Sequence, residues 1–120
     1  MVYASENLSL AALELFVHVS PGLIPTDLWS VRAAVPDSIV VERIAVGDLP
    51  KNWRDYPAPV ELQEIGTSWL TAQSSLVIFV PSAINPLESN ILVNPNHPDI
   101  HLLAVKASQP FQFDPRMFGK

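Results

Sequence analysis

The 120-residue chain has no cysteine, so neither a disulfide framework nor thiolate chemistry is open to it. It is also poor in charge: 16% of residues are charged, and 7 Lys and Arg stand against 12 Asp and Glu for a net charge of -5. The cations are scattered. Nucleic-acid backbones and anionic membranes are held through clustered cations, so neither is expected as a direct partner. A small anion is not excluded, because one or two well-placed arginines suffice to hold it. No apolar run approaches the roughly 20 residues of a membrane-spanning helix. The opening MVYASENLSL lacks a basic segment followed by an apolar one and does not read as a signal peptide. A soluble, cytoplasmic protein is the expectation. Glycine is scarce as well, with 4 residues, and neither G-x-G-x-x-G nor G-x-x-x-x-G-K occurs. A dinucleotide, if bound, is not held on a Rossmann-type glycine loop.

What the chain does have is apolar content, 48% of residues, which suits a compact fold with one core and predicts a single domain over residues 1–120. It also has 12 prolines, which recur between apolar runs and punctuate short elements joined by stiff connections.

Val2 to Ala4 reads as the end of a strand. Ser5 or Asn7 can cap a helix from about Leu8 to Val19, stopped by a Pro21-Gly22 turn. Trp29, Val31, Ala33 and Val35 alternate with their neighbours as a strand ending at Pro36, and Ile39 to Ala45 is a second β-branched run before the Gly47-Asp48 turn. Leu49 to Pro59, with Trp53 and Tyr56, reads as an ordered loop. Pro59 can open a helix through about Leu70 that puts Leu62, Ile65 and Trp69 on one face, and Gly66 within it suggests a close contact. Leu76 to Val80 is a continuous apolar run, the pattern of a strand covered on both faces. Ile91 to Val93, Leu102 to Val105 and Phe111 to Phe113 supply further short strands. The prediction is α+β: a mixed sheet of about six strands with two main helices.

Several residues break their local pattern. Glu14 shares its helix face with Leu10, Ala11 and Val17 as well as His18. A carboxylate on an apolar face needs a partner or a ligand, because an unpaired buried charge costs several kcal/mol. The alternative is a helix edge where Glu14 reaches solvent or pairs with His18. Ser82 follows the buried-type run through Pro81, at the end of a central strand, where ligand sites are common. It equally suits a turn after proline. It is not a nucleophile of the elbow type, since VPSAI lacks the flanking glycines. Asn90, Asn94 and Asn96 crowd a short strand in NILVNPNHP. Their amides can orient a ligand or serve turns. His97 and His101 have the spacing of helical metal ligands, but Pro98 between them and the lack of a third ligand argue against zinc, and no metal site is expected. Tyr3 precedes the first helix closely enough for both to line one cleft wall, while Trp53, Arg54 and Tyr56 read as loop packing or as a cluster for an adenine or a partner chain.

In order along the chain, VYASENLSLAALELFVH, LPKNWRDYPAP, GTSWL, VIFVPSAINPLESNILVNPNHPD and FQFDPRMF resemble the RES domain family. The block VPSAI followed by E-x-N-x-L-x-N-P-x-H-P is the most specific. RES proteins are named for an arginine, a glutamate and a serine. The resemblance makes Glu14 that glutamate and Ser82 that serine, the two expected catalytic residues. It sets Tyr3 in the NAD pocket and gives Asn90 and Asn94-Pro95 pocket or structural positions. The arginine of relatives precedes the strand ending in Y-A-S, and Arg32, Arg43, Arg54 and Arg116 do not match it. An N-terminally truncated domain is therefore expected.

The resemblance implies a fold similar to ADP-ribosyltransferase toxins. It also implies the toxin half of a toxin–antitoxin pair, which breaks the nicotinamide–ribose bond of NAD with phosphate or water as acceptor. NAD is then the substrate, with no separate cofactor, and a cognate antitoxin is the protein partner, with a second copy of the chain a further candidate. Two other readings stand beside it: an inactive remnant that binds only antitoxin or a small ligand, and a ligand-binding module unrelated to NAD.

Overall fold

Asn7 starts the first helix. Its side-chain oxygen accepts the Leu10 N–H at 2.8 Å, which satisfies one of the donors a helix leaves free at its N-terminus. In the computed structural model, which describes residues 1–20 and 22–118, this helix, α1, spans Leu8–Phe16 and follows strand β1, Val2–Ser5. It stops short of the expected Val19 because its last turn tightens: the His18 and Val19 N–H groups bond the carbonyls of Leu15 and Phe16, three residues back instead of four. Of the expected Pro21-Gly22 turn, Pro21 lies outside the described residues, while Gly22 adopts φ 87, a backbone conformation that suits glycine.

Strands β2 (Trp29–Ala34) and β3 (Val41–Arg43) come next, then helix α2 (Val60–Ala72) and strands β4 (Val77–Pro81), β5 (Ser89–Val93) and β6 (Ala104–Pro110). Among the described residues, two α-helices and six strands make an α+β fold, as the pattern predicts. The six strands divide between two sheets. One runs β1-β5-β4-β3, antiparallel except for the β3–β4 pair, and the other is the antiparallel ribbon β2–β6. Parallel neighbours need a long crossover, and the segment carrying α2 is that connection.

The continuous apolar run of β4 lies inside the larger sheet, between β5 and β3. Leu76, Val77 and Val93 are buried with Ile39, and Phe79, Ile91 and Leu103 pack against them. Val77 faces Val93 and Phe79 faces Ile91 across the β4–β5 ladder on one face of this sheet. Ile78, which points to the other face, is buried as well, so β4 is covered on both faces as its apolar run predicts. On α2 Trp69 is buried and Leu62 and Ile65 are half-buried. The Trp69 indole N–H donates to Ser75 Oγ at 2.9 Å, and the Ser74 and Ser75 hydroxyls both donate to Glu42 Oε2. These hydroxyls, Ser75 foremost, hold the Glu42 carboxyl below its ordinary range.

Two local expectations change. A Cβ on Gly66 would meet only the flexible end of Met1, at an ordinary 3.6 Å, so no close approach requires glycine there. Phe111 to Phe113 is not a strand. β2 begins at Trp29, paired with Pro110, so past one further bond from the Phe111 N–H to Leu28 the ladder has no partner. The rings gather instead with Phe16 and Phe118, Phe111 against Phe113 edge-on at 5.3 Å and Phe16 against Phe118 at 5.3 Å.

Candidate functional site

Glu14, on the last full turn of α1, projects to where β4 ends. Its Oε1 accepts the Ser82 hydroxyl at 2.8 Å and the Asn90 side-chain N–H at 2.8 Å. The three residues come from a helix, a turn and strand β5, separated by 68 and 76 positions in sequence. Among the described hydrogen bonds none reaches Oε2. His18 does not pair with the carboxylate; its Nδ1 lies 2.7 Å from the Glu14 backbone carbonyl. The acid on an apolar helix face thus finds the partners its position requires.

Ser82 is fully buried. Its backbone N–H donates to the Glu88 carbonyl, and its Oγ accepts the N–H groups of Ile84 and Asn85, both at 3.1 Å, while donating to Glu14. A hydroxyl has one proton and two lone pairs, so all of its capacity is committed. The serine is a turn former and a carboxylate partner at once. Arg54 braces this turn from outside, its Nε donating to the Ala83 carbonyl at 2.8 Å.

Asn90 is held from its other side. Its Oδ1 accepts the Ser5 hydroxyl at 2.8 Å, across the β1–β5 ladder in which Ser5 and Asn90 are direct partners. Side chains alternate along a strand, so Tyr3 lies on the same sheet face as Ser5, two residues along. Tyr3 is 76% exposed.

A second polar cluster fastens α1 to the Ser82 turn. Glu88 accepts from Asn7 Nδ2 at 2.6 Å and from Asn85 Nδ2 at 3.2 Å, tying the helix cap to that turn. Glu6 Oε1 accepts the Ser89 N–H at 2.6 Å. Sequence reasoning met Ser5 only as a cap, and Glu88 only as the first residue of the E-x-N block, with no role assigned to it.

Asn94 turns away from this group. It is buried, donates to the Leu70 carbonyl on α2 at 3.2 Å and accepts the Asn96 N–H at 3.1 Å, a structural tie. His97 caps the short 3-10 turn Pro98–Leu102, its Nδ1 accepting the Asp99 N–H at 3.0 Å, and His101 meets the Pro98 carbonyl at 2.9 Å. Among the described residues no group of three or more His, Asp or Glu can hold a metal. Trp53 is buried while Tyr56 is 94% exposed, so the two do not form one stacking platform.

Hollows lie elsewhere, one along α2 lined by Val60, Gln63 and Thr67, another by Ile24, Phe111 and Phe118, and neither includes Glu14, Ser82, Asn90 or Tyr3. At the site itself Ser82 is fully buried while Glu14 and Asn90 are half-buried. No helix among the described residues is long and apolar enough to cross a membrane.

Fold and site define an α+β protein that displays one tethered carboxylate where its first helix meets the end of its central strand. The chain belongs to the RES domain family, which it matches over residues 1–114. It is 35% identical over 122 residues to the Prs ADP-ribosylating toxin of Sphingobium sp. (strain YBL2), covering 100% of this chain and 76% of that protein. It is 36% identical over 118 residues to Toxin Res of Yersinia enterocolitica, covering 97% of this chain and 76% of its relative. With Toxin Res of Photorhabdus laumondii it shares 33% identity over 100 residues, 83% of this chain and 64% of the other.

Proposed function

We propose that this protein is the toxin of a toxin–antitoxin pair and that it consumes NAD by cleaving the nicotinamide–ribose bond. The observation that carries the reading is the Glu14 carboxylate, gripped at Oε1 by Ser82 and Asn90 and unpartnered at Oε2 among the described hydrogen bonds. A carboxylate fixed through one oxygen presents the other without paying orientation entropy on binding.

As the glycosidic bond breaks, its electron pair leaves with the nicotinamide nitrogen and positive charge spreads over ribose C1′ and the ring oxygen. Glu14 Oε2 stabilises that charge and accepts from a ribose hydroxyl. Phosphate or water then attacks C1′ through oxygen, and a water that adds gives its extra proton to bulk solvent. The exposed ring of Tyr3, on the same sheet face, stacks on nicotinamide. Ser82, with no hydrogen bond left to give, serves by holding Glu14 and not by touching substrate. Asn90 acts likewise, its N–H on Glu14 and its oxygen on Ser5. The names of the relatives, two called Toxin Res and one an ADP-ribosylating toxin, support a toxin role. The cognate antitoxin is the proposed protein partner.

A second reading, ligand or antitoxin binding without turnover, is favoured by Ser82, whose hydroxyl is buried and fully committed within the protein. The two are separated by incubating the protein with NAD, with and without phosphate, and following free nicotinamide by chromatography. Release that disappears in Glu14→Gln is the expected result. NAD left intact by a folded wild-type protein overturns cleavage.

A further inference from the structure

We propose that Ser5 is a positioning residue for Glu14, acting through the side-chain amide of Asn90. Its kinetic consequence rests on the NAD-cleavage reading; its geometric content does not. Ser5 and Asn90 are directly opposed on β1 and β5, so their side chains leave the same sheet face within reach of each other. Ser5 Oγ donates to Asn90 Oδ1 at 2.8 Å, and Asn90 Nδ2 donates to Glu14 Oε1 at 2.8 Å.

The charge on Glu14 already selects which end of the amide faces it, since two unprotonated oxygens repel. Ser5 adds an anchor at the other end. With both ends fixed, the amide plane is pinned, and Asn90 and Ser82 approach Oε1 from two separate elements. Two such donors stop the carboxylate from turning about its last bond, so Oε2 stays aimed. Without the Ser5 hydroxyl, Asn90 regains rotamer freedom and only Ser82 holds the acid. That loss weakens the transition state and leaves ground-state contacts of the substrate almost untouched.

The test compares Ser5→Thr with Ser5→Val, side chains of equal shape that both suit a strand and differ by the hydroxyl. Ser5→Val is expected to lower kcat for NAD cleavage about 5- to 30-fold with KM little changed, and Ser5→Thr to stay within about 3-fold of wild type. In an Asn90→Ala background Ser5→Val should add no further loss, because the path from Ser5 to Glu14 is already cut. An equal loss with and without Asn90 overturns the proposal. A second measurement needs no substrate: the Asn90 side-chain NH2 signals in 15N-labelled protein move in Ser5→Val and not in Ser5→Thr. If wild type leaves NAD intact while those signals move as stated, the cleavage reading falls and the positioning role stands. If they do not move, the positioning role falls whatever NAD does.

Discussion

Replacing Ser82 with alanine probes the whole arrangement, because one hydroxyl joins three partners. The substitution removes a charge-assisted bond to Glu14 Oε1 and leaves the Ile84 and Asn85 N–H groups without their acceptor. A hydrogen bond to a charged group contributes about 1.5–3 kcal/mol, and each backbone N–H left dry costs about 1–3 kcal/mol. The full sum is not expected, since Glu14 is only half-buried and its carboxylate regains water. A net loss of about 2–4 kcal/mol is the working figure, large for one small side chain. For 120 residues the unfolding entropy is about 0.25 kcal/mol/K, so each kcal/mol moves Tm by about 4 °C and the expected fall is about 8–16 °C. Circular dichroism melting and urea titration measure it. Glu14→Gln keeps an acceptor in place but removes the charge, so Ser82→Ala should cost about 1 kcal/mol less in that background. A Ser82→Ala protein that melts within about 2 °C of wild type would refute the reasoning.

Tyr3→Ala should raise KM for NAD about 2- to 10-fold through loss of stacking, while the melting curve stays put because the ring is largely exposed; steady-state kinetics beside a melt checks both. Glu42 contributes stability in full above the ordinary glutamate range, and the contribution fades as pH falls through its lowered folded value. Stability measured by urea titration against pH should therefore fall less steeply below about pH 4.3 in Glu42→Gln than in wild type, and parallel curves would count against the Ser75 and Ser74 bonds. Asn94→Ala cuts the tie between the end of β5 and α2 and should cost about 1–3 kcal/mol in the same titration without altering kcat, because Asn94 faces away from Glu14.

The local half of this protein was legible in the residues. The Leu8 start of α1 after Ser5 or Asn7, a buried strand over Leu76 to Val80 and the helix with Trp69 inside follow from capping chemistry and from apolar spacing, which act over a few residues. Glu14 stood out because its helix neighbours are apolar, and Ser82 because it closes a fully apolar run.

Which strands pair, and in which register, is decided by what buries the core face best, and no short window contains that information. Only the folded chain sets Ser5 opposite Asn90, divides six strands into a four-stranded sheet and a ribbon, and leaves Phe111 to Phe113 as an aromatic cluster. The residue types at the site were thus written into the chain, but the grip on one carboxylate oxygen arises from contacts between elements up to 85 positions apart, which exist only once the sheet has formed.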